Sequence, residues 1–190
     1  RIAHVADWLT VFGGAEHTIA EFHALWPDAP LFTTVTRRNR IGPLAKADIR
    51  TTGLQTAGWL LRRHQPLLPW MPKAVEYLDL RGYDIVLSSS HAVAKGVIPP
   101  SHAVHICYCH TPMRYAWAME EEYLDAFGVP STLRPFAKRM LKSLRRWDLS
   151  TAKRVDIFLA NSSETQDRIC RIYGRESFVV SPPVQDRFFA

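Results

Sequence analysis

The feature that most constrains this chain is an alternation of short β-branched or apolar runs with segments of helical spacing. That order implies parallel strands joined by crossover helices. Strands are expected near residues 2–6, 31–35, 48–51, 85–88, 104–109, 155–160 and 178–180. After the first of them, Gly13-Gly14 leads into Ile19, Phe22, Leu25 and Trp26 at helical spacing, and Pro27 ends the run. Near the other end, Ser163 and Gln166 stand at capping-box spacing, Ile169 and Ile172 continue the helix, and Gly174 is placed to stop it. With 190 residues, 47% of them hydrophobic, the chain can bury one core of its own. The expected fold is therefore a single α/β domain over residues 1–181, Rossmann-like, with a mainly parallel sheet flanked by helices. Pro182-Pro183 cannot continue a sheet, so residues 182–190 read as the start of a linker. Residues 59–72, rich in proline, leucine and tryptophan, read as a loop or broken helix packed on the surface.

Composition narrows the setting without choosing a function. No run approaches the roughly 20 apolar residues of a membrane span, and the first six residues read as a strand and not as a secretory signal, so a cytosolic chain is expected. The first residue is not Met, which leaves a trimmed start open. Cys107 and Cys109 have no second pair at metal-ligand spacing, and with Cys170 they are expected to be buried free thiols, with no metal site. A net charge of +6 suits nucleic acid, an anionic membrane surface or a phosphorylated substrate equally.

In an open parallel sheet, ligands bind beyond the carboxyl ends of the strands. Four polar segments fall there: residues 7–16, the run Ser88-Ser89-Ser90-His91, residues 110–114, and Asn161-Ser162-Ser163. Gly13-Gly14 ahead of a helix lets an anion approach backbone N–H groups, although a plain tight turn has the same look. Residues 12–17 do not fit the G-x-G-x-x-G dinucleotide fingerprint, and no phosphate loop of the G-x-x-x-x-G-K-[ST] type occurs. Glu16 in the first helical turn complements the helix dipole. His110, between a strand end and Pro112, is the candidate catalytic residue, with Ser90, His91 and Arg114 as further candidates at the crevice. A helix over 133–147 places Leu133, Phe136, Met140, Leu144 and Trp147 on one stripe and Arg134, Lys138, Lys142 and Arg146 on another. The basic stripe is a candidate membrane contact at the inner face of the membrane. Nucleic acid is disfavoured, because no RNA-binding or zinc-ligand signature is present.

These pieces together resemble the retaining GT-B glycosyltransferases, the group that includes bacterial mannosyl- and rhamnosyltransferases. The matching segments are His4-Val5-Ala6-Asp7 through Gly13-Gly14-Ala15-Glu16, Ser88 through Gly96, Tyr108-Cys109-His110-Thr111-Pro112-Met113-Arg114-Tyr115, Asp156 through Ser162, and Pro182-Pro183-Val184. The resemblance implies the N-terminal half of a two-domain enzyme, facing a C-terminal domain that binds most of a nucleotide-sugar donor. It further implies that Gly13 and Gly14 face the donor diphosphate or sugar, that His110 lies beside the reacting carbon, that Ser90, His91 and Arg114 are candidates on the acceptor side, and that the acceptor is a glycan or lipid-linked. The nucleotide sugar would be a substrate, with no cofactor. A mannose-type, GDP-linked donor is a leaning from the His-Thr-Pro-Met-Arg segment, and the lack of a D-x-D motif fits a metal-independent mechanism. A second reading stays open: a stand-alone module that binds a phosphorylated ligand without catalysis.

Overall fold

The computed structural model of the chain describes residues 1–60, 65–117, 120–126 and 128–183. Its strands are β1 (Ile2–Ala6), β2 (Leu31–Thr33), β3 (Ile49–Thr51), β4 (Ile85–Ser90), β5 (Val104–Cys109), β6 (Ile157–Ala160) and β7 (Phe178–Val179). They form one all-parallel sheet in the order β3-β2-β1-β4-β5-β6-β7, a Rossmann-like α/β arrangement. Several strand ends differ from the sequence reading, because apolar pattern marks burial whereas pairing marks the strand. Val35 is buried beyond the end of β2, and Val155 is buried before β6 begins. Conversely β4 runs on to Ser90, since Ser89 and Ser90 pair with Tyr108 and Cys109.

The helices are α1 (Gly14–Leu25), α2 (Leu54–Leu60), α3 (Met71–Glu76), α4 (Arg114–Trp117), α5 (Glu120–Ala126), α6 (Arg134–Thr151) and α7 (Ser163–Tyr173). Period-two alternation along β1 divides the core. Ala3 and Val5 pack with Met71 and Val75 of α3 and with Leu141 and Leu144 of α6, while Ala6 joins Ile19 of α1 with Leu31, Ile41 and Leu44. Farther along the sheet, Cys107, Cys109, Phe158 and Ala160 pack against Ile169 and Tyr173 of α7. Cys107 and Cys109 are buried thiols as expected, with burial pushing the Cys107 pKa up to about 12, but Cys170 is exposed on α7.

Other local expectations shift in instructive ways. The cap of α7 is Ser162 and not Ser163: its hydroxyl accepts the Thr165 N–H at 3.2 Å, and Gly174 ends the helix at a φ of 64°. In the 59–72 stretch, residues 61–64 lie outside the described residues. Leu67, Leu68 and Met71 enter the main core and do not pack on the surface, since the prolines break the helix without removing its apolar side. Of the expected linker, residues 184–190 lie outside the described residues.

His105 on β5 is fully buried, with Nε2 2.8 Å from the Ser88 hydroxyl and Nδ1 2.9 Å from the Arg154 carbonyl. Burial pushes its pKa down to about 4, and burial likewise lowers His4 to about 4. In the unfolded chain both titrate near 6.5, so between those values the unfolded state binds more protons. Stability is then fully present above about pH 6.5 and is lost as the pH falls toward 4. Thermal unfolding measured from pH 7.5 to 4.5 is expected to show that decline, and His105→Gln, which keeps one donor and one acceptor, is expected to flatten it. An unchanged slope in the variant would contradict the assignment.

Candidate functional site

Strand order reverses between β1 and β4, and the loops leaving β1, β4 and β5 meet there at the carboxyl edge of the sheet. The crevice is organised by Asp7, the residue after β1. Its buried carboxylate accepts backbone N–H groups from His91 at 2.7 Å, Ala92 at 3.1 Å, Val93 at 2.6 Å and Ala94 at 2.5 Å. The Ser90 hydroxyl donates to it at 3.3 Å, and His91 Nδ1 lies 2.9 Å away. Successive N–H groups converging on one anion form a nest of the kind that binds phosphates elsewhere, here filled by the protein's own carboxylate. Burial alone would raise the Asp7 pKa, but the charge and hydrogen bond of His91 and the backbone donors outweigh it, and the net direction is down.

Nearly every residue in the 88–96 run then has an identifiable role. Ser88 holds His105, and Ser89 Oγ lies 2.8 Å from His110 Nε2. Ser90, an expected acceptor contact, is buried, and its hydroxyl sits between Asp7 and the Lys95 N–H, so it frames the loop. Lys95 is buried too: Nζ donates to the Asp148 carbonyl at 2.7 Å and to Thr151 Oγ1 at 2.9 Å, and ion-pairs with Asp148 Oδ1 at 2.8 Å. Trp117 Nε1 and the Tyr173 hydroxyl donate to the other Asp148 oxygen at 2.7 and 2.9 Å, which ties the loop to α4, α6 and α7. A β-carbon at Gly96 would come within 2.3 Å of the Trp147 ring, so glycine is required there by packing.

His91 and His110 face each other with ring centroids 6.4 Å apart. The edge of Trp8 flanks His91 at 4.8 Å, and Tyr108 flanks His110 at 5.2 Å. For His91, burial works against protonation, but the charges of Asp7 and Glu16 and the Asp7 hydrogen bond prevail and raise its pKa. His110 goes the other way, to about 4, first through burial and then through the charge of His91. The pair thus presents a cation-prone imidazole held by a carboxylate beside one that is neutral at physiological pH, able to donate and accept.

Gly13 precedes α1 and Gly14 begins it, and the Gly13 N–H donates to the Glu16 carboxylate at 3.0 Å. Glu16 is buried, and burial raises its pKa, so it closes the helix start from inside in addition to complementing the dipole. Neither glycine adopts a positive φ. Apart from its chain neighbours and its own helix backbone, a β-carbon on Gly14 would meet no atom of the described residues within 4 Å. Nothing in the fold demands glycine at 14, and its absent side chain leaves the helix N-terminus open to an approaching group. Arg114 is exposed at the first position of α4.

The basic helix is α6, and its faces correct the sequence reading. The buried line is Ala137, Leu141, Leu144, Asp148 and Thr151, while Leu133 and Phe136 are exposed. Arg134 and Lys138 are ion-paired to Glu121 and Asp125 of α5. The outward stripe is therefore Arg139, Lys142 and Arg146, flanked by exposed Phe136 and Leu149. The model of the family described as Glycosyltransferase Family 4 matches residues 12–187 of the chain. No curated protein gives a significant match.

In the sequence Asp7 and Lys95 fall within the segments of interest without either having a role of its own, and Asp148 gives no signal, because their partners lie more than 50 residues away. The geometry makes Asp7 the residue whose loss would be felt furthest. Asp7→Ala strands four N–H donors, three of them buried, and removes the partner of His91, and is expected to cost about 3 kcal/mol or more in denaturant unfolding. A loss under about 1 kcal/mol would mean that the loop does not depend on this carboxylate.

Proposed function

The chain belongs to Glycosyltransferase Family 4, and on that premise we propose that it forms the acceptor-side half of an enzyme that moves a hexose from a nucleotide-sugar donor to a glycan or lipid-linked acceptor. The observation that carries this reading is Gly14: a glycine that the backbone and the packing do not require, at the start of a helix aimed into the crevice. Departure of a nucleoside diphosphate builds charge on phosphate oxygens, and free N–H groups at a helix start stabilise that charge. His110, neutral and anchored through Ser89, is positioned to hydrogen-bond the transferred sugar. A second domain facing this crevice would supply the remaining cationic groups and exclude water. Retention at the anomeric carbon, a mannose-type donor and a reaction without metal complete the proposal.

Gly14→Ala separates folding from chemistry. Alanine at a helical position is neutral or stabilising by up to about 1 kcal/mol relative to glycine, so the unfolding temperature of the full-length protein is expected to hold or rise. Its β-carbon would occupy the approach to the helix start, and kcat/KM for the donor is expected to fall by about tenfold or more. Unaltered donor kinetics would remove the glycine from the binding site.

No helix among the described residues is long and apolar enough to cross a membrane. Peripheral attachment at an anionic surface is part of the proposal, and it rests on the outward face of α6, where three cations stand beside exposed Phe136 and Leu149. Each cation near such a surface contributes about 1 kcal/mol. The triple variant Arg139→Glu, Lys142→Glu, Arg146→Glu is expected to lose sedimentation with vesicles rich in anionic lipid, whereas Arg134→Glu with Lys138→Glu is expected to lose much less. Equal losses from the two variants, or none from either, would contradict this placement.

A further inference from the structure

A second concavity lies at the same edge of the sheet, beyond the ends of β2 and β3. It is a cavity of about 960 Å³ whose lining includes Thr36, Arg37, Arg40, Thr51 and Gln55, with no acidic side chain among the described lining residues. We propose that this cavity binds a phosphate group carried by the acceptor, an inference that rests on the glycosyl-transfer reading above and specifies its acceptor class.

The site is built by local hydrogen bonding. The side chain of Gln55 in α2 clamps Thr36, accepting its N–H at 2.7 Å and donating to its carbonyl at 3.0 Å. The Arg37 N–H donates to the Leu9 carbonyl at 2.7 Å, which fastens this turn to the loop that carries Asp7 and Gly14. The Arg40 N–H closes the turn on the Arg37 carbonyl at 2.9 Å. Between them, Arg38 braces the fold, because its guanidinium donates to the carbonyls of Ala45, Ala47 and Ile49 at 2.9, 3.2 and 3.4 Å.

Arg37 and Arg40 brace nothing of this kind. Neither makes an ion pair or a side-chain hydrogen bond among the described residues, and Arg37 is partly buried. The Thr36 hydroxyl is also shielded from solvent without a hydrogen-bond partner among those residues. Arg37 is half-buried and Arg40 exposed at the mouth of the cavity, and the planar fork of each guanidinium matches phosphate oxygens in pairs. The Leu9 to Thr36 bridge joins the turn that lines the cavity to the loop that borders the proposed donor crevice.

The test is calorimetric binding to the full-length protein at about 150 mM salt, where long-range attraction is screened. The probes are glucose 6-phosphate, glucose, and vesicles of phosphatidylcholine with and without phosphatidylinositol. The proposal expects a phosphate-bearing probe to bind and glucose not to, with Arg37→Gln and Arg40→Gln each weakening binding by roughly tenfold or more at an unchanged unfolding temperature. Saturation by the soluble phosphate assigns a water-soluble acceptor, and binding confined to phosphatidylinositol vesicles assigns a lipid phosphate. Equal binding of glucose and glucose 6-phosphate, no binding by any probe, or full binding by the Arg37→Gln/Arg40→Gln protein would overturn the proposal. Nucleotide-sugar binding measured in parallel keeps the two readings apart. Donor binding with phosphate binding indifferent to the arginines defeats only the cavity, and arginine-dependent phosphate binding without any donor binding defeats only glycosyl transfer.

Discussion

The carboxylate of Asp7 is the interaction on which the crevice depends. A parallel sheet whose order reverses between β1 and β4 leaves two loops diverging from neighbouring strand ends, with backbone N–H groups that no ladder can satisfy. Asp7 satisfies four of them at once. An unpaired carboxylate at this depth would be protonated or would unfold the loop, and unpaired N–H groups would each carry a desolvation penalty. Each cost is removed by the other, so loop and strand end are fixed as one unit. His91 is fixed with them, and its charge helps keep His110 neutral.

A second buried pair extends that unit into the helical layer. Lys95 and Asp148 are both essentially inaccessible, and the pair is tolerable because every strong group around it is engaged: the Asp148 carbonyl, Thr151, Trp117 and Tyr173. The two glycine positions make the contrast between frame and site plain. Gly96 is demanded by the Trp147 ring from inside the fold, whereas at Gly14 nothing inside the fold makes a demand. The missing side chain at Gly14 leaves the start of α1 open to solvent.

Much of the architecture was legible in sequence because it follows from periodicity. The alternation of runs reports parallel strands and crossovers, and β1 and β5 were delimited to the residue. The site was legible in part: glycines, serines and histidines at strand ends mark a crevice wherever such a sheet places them. What sequence could not reveal was pairing at a distance. Asp7 is 84 residues from the first N–H it binds, and Lys95 is 53 residues from Asp148. On α6, apolar content suggested that Phe136 faces the core and Arg134 faces water, but α5 supplies acids that take up Arg134 and Lys138 and leave Arg139 outward. Of the three serines, Ser90 was the expected site residue, but its hydroxyl frames the loop at Asp7 while that of Ser89 lies against His110.

We propose that the loops fixed by Asp7 make the opening at Gly14 and His110 the place where a nucleotide sugar binds. The most direct measurement is a titration of the isotope-labelled full-length protein with a nucleoside diphosphate hexose, followed through backbone amide and imidazole nitrogen resonances. The Gly14 amide and the His110 ring are expected to shift together and saturably, while the amides of residues 91–94 hold their positions. Shifts confined to other edges of the sheet, with Gly14 and His110 unmoved at saturation, would contradict the proposal.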